Sequence, residues 1–259
     1  LLASRFSTER KLNVSHATTT AQPSLLEGPG YLLIRRLQSL TGIAFGLYLV
    51  VHLIVNASIA QYFSADEHVR YSYQAQVDKI HSLPFLEAIE WTFIFIPFLI
   101  HAIYGTWIIV TGRPNVGAYP YKRNQFYLWQ RITAVTVLLF GLFHVLSLKF
   151  GMFGPQLTFR PLETLASIRD HMQVYWWVAY IVYPIGILSA TFHTANGFWI
   201  GAITWGLTVS SAAQRRWGYL CVGCFLVLTI AAFVSLFAAT NLPTPLWKAP
   251  AAAAPLQAH

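Results

Sequence analysis

Four histidines stand one each inside the first four long apolar runs of this 259-residue chain: His52, His101, His144 and His193. Imidazole titrates near neutral pH and is costly to hold in hydrocarbon, so each ring needs a hydrogen-bond partner, a proton path or a metal. A neutral ring offers one nitrogen lone pair to a metal while its other nitrogen donates to a carbonyl or hydroxyl that fixes its orientation. The other five, His16, His68, His81, His171 and His259, fall in expected tails, loops or helix entrances and need no special account.

The surrounding composition says what must position those four. The chain is 56% hydrophobic and only 10% charged, with mean hydropathy +0.51, outside the range of a soluble domain of this length. Five stretches are long enough to cross a hydrocarbon core of about 30 Å. They lie near 33–57, 86–111, 126–149, 175–205 and 216–240, the fourth being long enough to tilt or overshoot and carrying Pro184 as a candidate kink. The expected fold is therefore all-α: an integral membrane bundle of five transmembrane helices, spanning 31–242 between flexible tails at 1–30 and 243–259.

Charge sets the expected orientation. Arg35, Arg36, Arg113, Lys122, Arg123, Arg131, Arg215 and Arg216 fall on one side, whereas the opposite loops mix Asp66, Glu67, Asp78, Glu163 and Asp170 with Arg70, Lys79, Arg160 and Arg169. The positive-inside rule puts the amino terminus in the cytoplasm. The formal charge of +8 is then mostly topology and calls for no nucleic acid. The first 30 residues lack an apolar run suited to a signal peptide and read as a flexible cytoplasmic tail, with a transit segment as the alternative. Cys221 and Cys224 read as small packing residues of the fifth helix, and no internal repeat is visible.

Depth follows from the rise per residue. His52 stands 16 steps beyond Arg36 and His144 stands 13 beyond Arg131, about 24 Å and 20 Å from the inner face. The second and fourth helices run the other way, so His101 and His193, 16 steps from Phe85 and 18 from Tyr175, lie about 24 Å and 27 Å in from the outer face. The rings thus form an outer pair, His52 with His144, and an inner pair, His101 with His193, roughly 15 Å apart in depth. Two facing imidazoles at one depth can hold a planar iron macrocycle, and Gly42, Gly46, Gly105, Gly141 and Gly197 would give backbone room beside it. The pattern points to two haem b groups stacked across the bilayer. A haem-free transporter or proton channel using the histidines as relays, and another dihaem redox cytochrome, are the competing readings.

The stretches RRLQSLTG (35–42), HLIVN (52–56), SLPFLEAIEWTFIFIPFLIHAIYG (82–105), YPYKRNQFYLWQRIT (119–133), LFHV (142–145) and FHTANGFWIGAITWGLTVS (192–210) resemble the cytochrome b558 subunit of succinate dehydrogenases and fumarate reductases, in its five-helix, two-haem branch. The resemblance covers about 30–240. It implies a membrane anchor of respiratory complex II in the cell's cytoplasmic (inner) membrane, with a flavoprotein and an iron–sulfur subunit on the cytoplasmic side. FAD and iron–sulfur clusters would belong to those partners, since this chain has no dinucleotide loop or cluster cysteines. It implies electron flow from the iron–sulfur subunit through the His101–His193 haem and the His52–His144 haem to a quinone, menaquinone by analogy, in the tricarboxylic acid cycle direction or in the fumarate-reducing one. Association of whole complexes is left open. The family often has His where this chain has Gln38, and some fumarate-reducing members have Glu where this chain has Thr191, which weakens a transmembrane proton path here.

Quinone reduction takes up protons, so its site needs a donor near the haem that feeds it. Glu90, three turns before His101 and about 16 Å nearer the outside, is the candidate, with His81 or Asp78 at the entrance of the same helix. A carboxylate facing headgroups at a helix start is the plainer alternative for Glu90, and an inner quinone site near Arg35, Ser39 and Trp129 is a second location. Arg35, Arg36 and Arg131, with Lys122, are candidates to pair with haem propionates; ordinary topology and lipid contact are the alternative. Arg131 leads because a buried guanidinium demands a partner.

Overall fold

A computed structural model describes residues 29–112, 116–244 and 246. The expected tails at 1–30 and 243–259 fall almost wholly outside the described residues, as does Arg113. The described chain is all-helical, with α1 (Pro29–Ala57), α2 (Ser72–His81), α3 (Leu86–Thr111), α4 (Lys122–Leu148), α5 (Thr164–Gln173), α6 (Val178–Thr204) and α7 (Ser211–Thr240). Five of these, α1, α3, α4, α6 and α7, are long and apolar enough to cross a membrane, α1 continuing through a 3-10 turn at Ser58–Phe63. Their lengths of 26 to 32 residues correspond to about 40–48 Å at 1.5 Å per residue, more than the hydrocarbon core alone, so they tilt or reach past it.

Large apolar side chains point outward along these helices. Leu47, Val51, Phe93, Ile103, Leu139, Val227 and Ile230 are all more than half exposed, a surface that suits lipid and would be intolerable in water. The exception is α6, half of whose apolar window is buried; it packs against α1, α4 and α7. Small residues permit that centrality. A methyl group on Gly186 would lie 2.4 Å from the Phe140 ring, so only glycine lets α4 and α6 approach as they do.

Proline shapes two helices in the same way. Pro97 and Pro184 lack the N–H that would bond to Phe93 and Tyr180, and each of those residues lies within a π turn, Trp91–Phe95 and Val178–Val182. Widening the helix by one residue per turn relieves the clash between the proline ring and the preceding carbonyl. At Pro184 the interruption takes this form.

The two ends of the bundle differ. One end, called here the basic end, carries Arg35, Arg36, Lys122, Arg123, Arg215 and Arg216 and is closed by short contacts: Arg123 to Gln214 at 3.1 Å, Trp205 Nε1 to Ser39 Oγ at 3.0 Å and Arg36 over the Trp205 ring. The opposite end bears a cap of α2, α5 and the intervening turns, which holds much of the buried core: Ile59, Tyr62, Tyr73, Val77, Leu165, Ile168 and Met172. Gln74 ties α2 to the Pro161 carbonyl at 2.9 Å, and Gln173 ties α5 to the carbonyls of Thr240 and Leu242 at 3.0 Å. Asp78 and His81 belong to α2, not to the helix that carries Glu90, because Phe85 in left-handed conformation (φ 57) breaks the chain between α2 and α3. That corrects the expected placement of the three on one helix.

Asp170 is the electrostatic hinge of the cap. Its carboxylate accepts from Arg160 Nη2 at 2.8 Å and Arg169 Nη2 at 2.7 Å, while Arg169 Nη1 also donates to the Pro243 carbonyl at 3.2 Å. Partial burial works to raise the Asp170 pKa, but the two guanidinium hydrogen bonds outweigh it and hold the group below its ordinary 3.8. The cap's stability from this group is therefore complete above about pH 4 and is lost as pH falls through the lower folded value. Thermal melts of the purified protein should show Asp170→Asn less stable than wild type at pH 7, with the gap closing below pH 4; equal melting temperatures at pH 7 would deny Asp170 this role.

Candidate functional site

The site lies between α1, α3, α4 and α6 and has two layers. On the cap side the rings of His52 and His144 face one another with centroids 5.9 Å apart and planes at 90°. On the basic side the rings of His101 and His193 are 6.1 Å apart with planes at 84°. Metal–imidazole bonds of about 2 Å on either side of one ion, with each ring centre set back behind its nitrogen, give a centroid spacing of roughly 6 Å. Both pairs are spaced to share a metal. Among the described residues no three His, Cys, Asp or Glu side chains form a metal cluster.

In the basic-side layer each histidine is fixed by a backbone carbonyl. His101 Nδ1 lies 3.0 Å from the Gln38 carbonyl and His193 Nδ1 lies 3.2 Å from that of Gln130. A carbonyl only accepts, so Nδ1 carries the proton in both rings and Nε2 keeps its lone pair. Those carbonyls are bonded within a helix as well, and a second donor uses their remaining lone pair.

The two halves of this layer repeat one design, a feature the sequence reading missed. Gln38 and Thr41 on α1 correspond to Gln130 and Thr133 on α4; each threonine is buried and bonds back to the carbonyls three and four residues before it. Gln38 and Gln130 each precede the cap-side histidine of their own helix, His52 and His144, by fourteen residues. That interval is nearly four full turns, so glutamine carbonyl and histidine share a face. On the facing helices, Gly105 follows His101 by four and Gly197 follows His193 by four, and methyl groups there would meet the Gln38 and Gln130 amides at 3.2 and 3.7 Å. These two glycines therefore make room for glutamine side chains. Gly42 faces the histidine ring itself: a methyl there would lie 2.5 Å from Cε1 of His101. Gly46 faces Phe198 and Thr194, and Gly141 faces Phe98.

The cap-side layer lacks that symmetry. His52 Nδ1 approaches the Tyr48 hydroxyl one turn earlier at 3.4 Å, and the Asn56 amide donates to the His52 carbonyl at 2.7 Å. His144 Nδ1 instead meets the hydroxyl of Tyr183 on α6 at 3.0 Å, and that hydroxyl meets Nε2 of His171 at 2.9 Å. His171 Nδ1 in turn lies 3.0 Å from the Leu157 carbonyl. His171, expected to fall in a tail, loop or helix entrance and to need no special account, is wholly buried in the cap. Burial lowers its pKa, opposed by the bond to Leu157, which raises it.

The other candidates are dispersed. Glu90 forms an ion pair with Lys149 at the cap end of α3 and α4. Asp78 accepts from Gln74 at 2.8 Å and His81 stacks on Phe159, and among the described hydrogen bonds none joins Glu90 to either. Arg35 and Arg36 lie exposed at the basic end. Arg131 has a partner of a different kind from the one expected: its guanidinium donates to the carbonyls of Ile108 (2.8 Å), Ile109 and Gly112 (3.1 Å), closing the carboxyl end of α3, and it lies over the Tyr127 ring. Cys221 and Cys224 are free thiols on α7, away from both layers of histidine.

No family model matches the chain. Over 209 residues it is 34% identical to the succinate dehydrogenase cytochrome b558 subunit of Bacillus subtilis (strain 168), a similarity that covers 79% of this chain and 95% of that protein.

Arg131 donates to three carbonyls at the carboxyl end of α3, where helix carbonyls run out of intrahelical donors, adding to the Gly112 N–H that Ile108 already accepts. Arg131→Met should therefore lower the melting temperature of the purified protein, by the equivalent of about 1–3 kcal/mol, and Arg131→Lys should recover part of it. An unchanged melt in Arg131→Met would show that the cap contributes nothing.

Proposed function

Because the chain belongs to the family of succinate dehydrogenase cytochrome b558 subunits, we propose that it binds two haem b groups, one per histidine pair, and conducts electrons across the bilayer to a quinone. The family makes it the membrane cytochrome b subunit of a succinate dehydrogenase complex. The finer reading rests on one observation: two imidazole pairs, spaced 5.9 and 6.1 Å, at two levels of one bundle.

Bound in these layers, haem supplies one-electron carriers that neither helix nor side chain can provide. The chain's own residues hold and orient it. His101 and His193, each fixed through Nδ1 by a glutamine carbonyl, would present Nε2 to the basic-side iron once the Gln130 amide, 3.4 Å from His193 Nε2, turns aside, and His52 and His144 would do so on the cap side. Outward-facing apolar side chains keep the bundle in lipid, where a charged carrier outside the protein would be excluded.

The orientation that fits is basic end to the cytoplasm, which sets the His101–His193 layer next to a flavoprotein and an iron–sulfur subunit docked on that face. Electrons enter there in the succinate-oxidising direction. They leave on the cap side to a membrane quinone, menaquinone in this proposal, with Glu90 near its protons. Lys149 pairs with Glu90 at that end of the bundle. Basic residues of the cytoplasmic end, Arg35 and Arg36 among them, are placed to meet propionates of the basic-side haem. The bundle over 31–242 is one functional unit in a multi-pass protein of the cytoplasmic membrane.

The purified complex should show the sharp α band of low-spin haem, reduced by succinate, with flavin co-purifying. Since perpendicular imidazole planes leave two iron d orbitals nearly degenerate, the ferric protein should give strongly anisotropic low-spin resonance signals. Gly42→Ala, which pushes on the His101 ring, should abolish one of two potentiometric transitions and spare the other. A colourless preparation would refute the haem reading, and haem that succinate does not reduce, without flavin, would favour a cytochrome lacking succinate subunits. Quinone reduction should fall severalfold in Glu90→Gln with both haem spectra intact; unaltered turnover would remove Glu90.

A further inference from the structure

Taking as its basis that His52 and His144 hold the cap-side haem, we infer that Tyr183 and His171 are positioning residues: a relay that fixes which nitrogen of His144 is free for iron and strengthens it as a donor. The direction of every hydrogen bond follows from the far end. The Leu157 carbonyl can only accept, so the Nδ1 of His171, 3.0 Å away, carries a proton. His171 is wholly buried and meets no carboxylate among the described hydrogen bonds, so it is neutral and its Nε2 presents a lone pair. The Tyr183 hydroxyl, 2.9 Å away, donates its single hydrogen to that lone pair. Its oxygen is left to accept, and His144 Nδ1 at 3.0 Å is the donor. His144 therefore keeps its proton on Nδ1 and its lone pair on Nε2.

Reversal of this chain would be ruinous to a metal. Were Tyr183 to donate to His144 Nδ1, the ring's proton would move to Nε2 and block the iron. His171 biases the chain against that by claiming the hydroxyl hydrogen. In addition, a donor chain in a low-dielectric interior polarises along its length, which pulls the Nδ1 proton away from the ring and makes Nε2 more basic. None of the other three histidines has such a chain: His101 and His193 donate directly to helix carbonyls, and His52 has the longer 3.4 Å contact to Tyr48. The cap, through α5, thereby reaches one ligand of one layer.

A more basic ligand favours ferric over ferrous iron. Removing the acceptor should shift the ferric-to-ferrous ratio of the cap-side haem by about three- to tenfold, the worth of one hydrogen bond. At about 59 mV per tenfold for a one-electron couple, its midpoint potential should rise by roughly 30–60 mV. The experiment is a dithionite titration of the purified complex in wild type, Tyr183→Phe, His171→Leu and His171→Gln, the cap-side transition being the one lost in His144→Leu. Tyr183→Phe and His171→Leu should raise that transition and leave the other in place, while His171→Gln, whose amide oxygen can still accept, should stay near wild type. If Tyr183→Phe fails to hold the cap-side haem, the comparison of His171→Leu with His171→Gln carries the same test. Two transitions unmoved in both acceptor-deleting variants, or a His171→Gln shift as large as that of His171→Leu, would overturn the relay. A wild-type protein without two one-electron transitions would instead overturn the haem reading beneath it.

Discussion

An imidazole in a lipid-facing bundle must have both of its nitrogens accounted for, and that requirement organises this molecule. One nitrogen can be given to a metal; the other must donate to something that the fold supplies at the right depth. In the basic-side layer the supply is the most economical available, a helix carbonyl with one lone pair to spare. Using it requires α1 to lie against α3, and α4 against α6, in one register. The bundle's packing order is thus tied to the hydrogen bonds these histidines need.

Two helix pairs meet that requirement with the same parts. Gln38, Thr41 and His52 on α1, against His101 and Gly105 on α3, are matched by Gln130, Thr133 and His144 on α4 against His193 and Gly197 on α6. Each buried threonine bonds to the very glutamine carbonyl that takes the histidine, or to its neighbour one residue earlier, and so shields that stretch of helix from unpaired polarity. The fourteen-residue interval then carries the face four turns on to the next ligand. The likeness stops at the glutamine amides: Gln130 bonds Asn196 and the His193 carbonyl, whereas Gln38 Oε1 is buried with no hydrogen-bond partner among the described residues.

Much of this was legible in the sequence, and what was not had physical reasons. Span positions were, since hydropathy over some twenty residues is a summed signal; the helices begin and end within a few residues of expectation at four spans, and at Ser211 slightly earlier than expected because Ser210 caps the helix. The repeat was not, since glutamine and threonine are ordinary residues and the positions between them and the next histidine mostly differ between the two helices. His171 was misjudged because its burial depends on the cap folding back over it, a tertiary event without local signature. Arg131 was rightly seen as needing a partner, yet the partner is a set of backbone carbonyls at the end of another helix. Asp78 and His81 were joined to the wrong helix, since a left-handed Phe85 after Pro84 is a break that apolar flanks conceal.

The departure from symmetry carries as much meaning as the symmetry. If equivalence were all that mattered, His144 would lean on a helix carbonyl as its basic-side counterparts do. It leans instead on a hydroxyl whose own hydrogen is committed to the cap, so the electronic state of one layer depends on the folded state of α5 and the turn at Leu157. The fold makes the two layers unlike by keeping one uniform and tying a single histidine of the other to the cap.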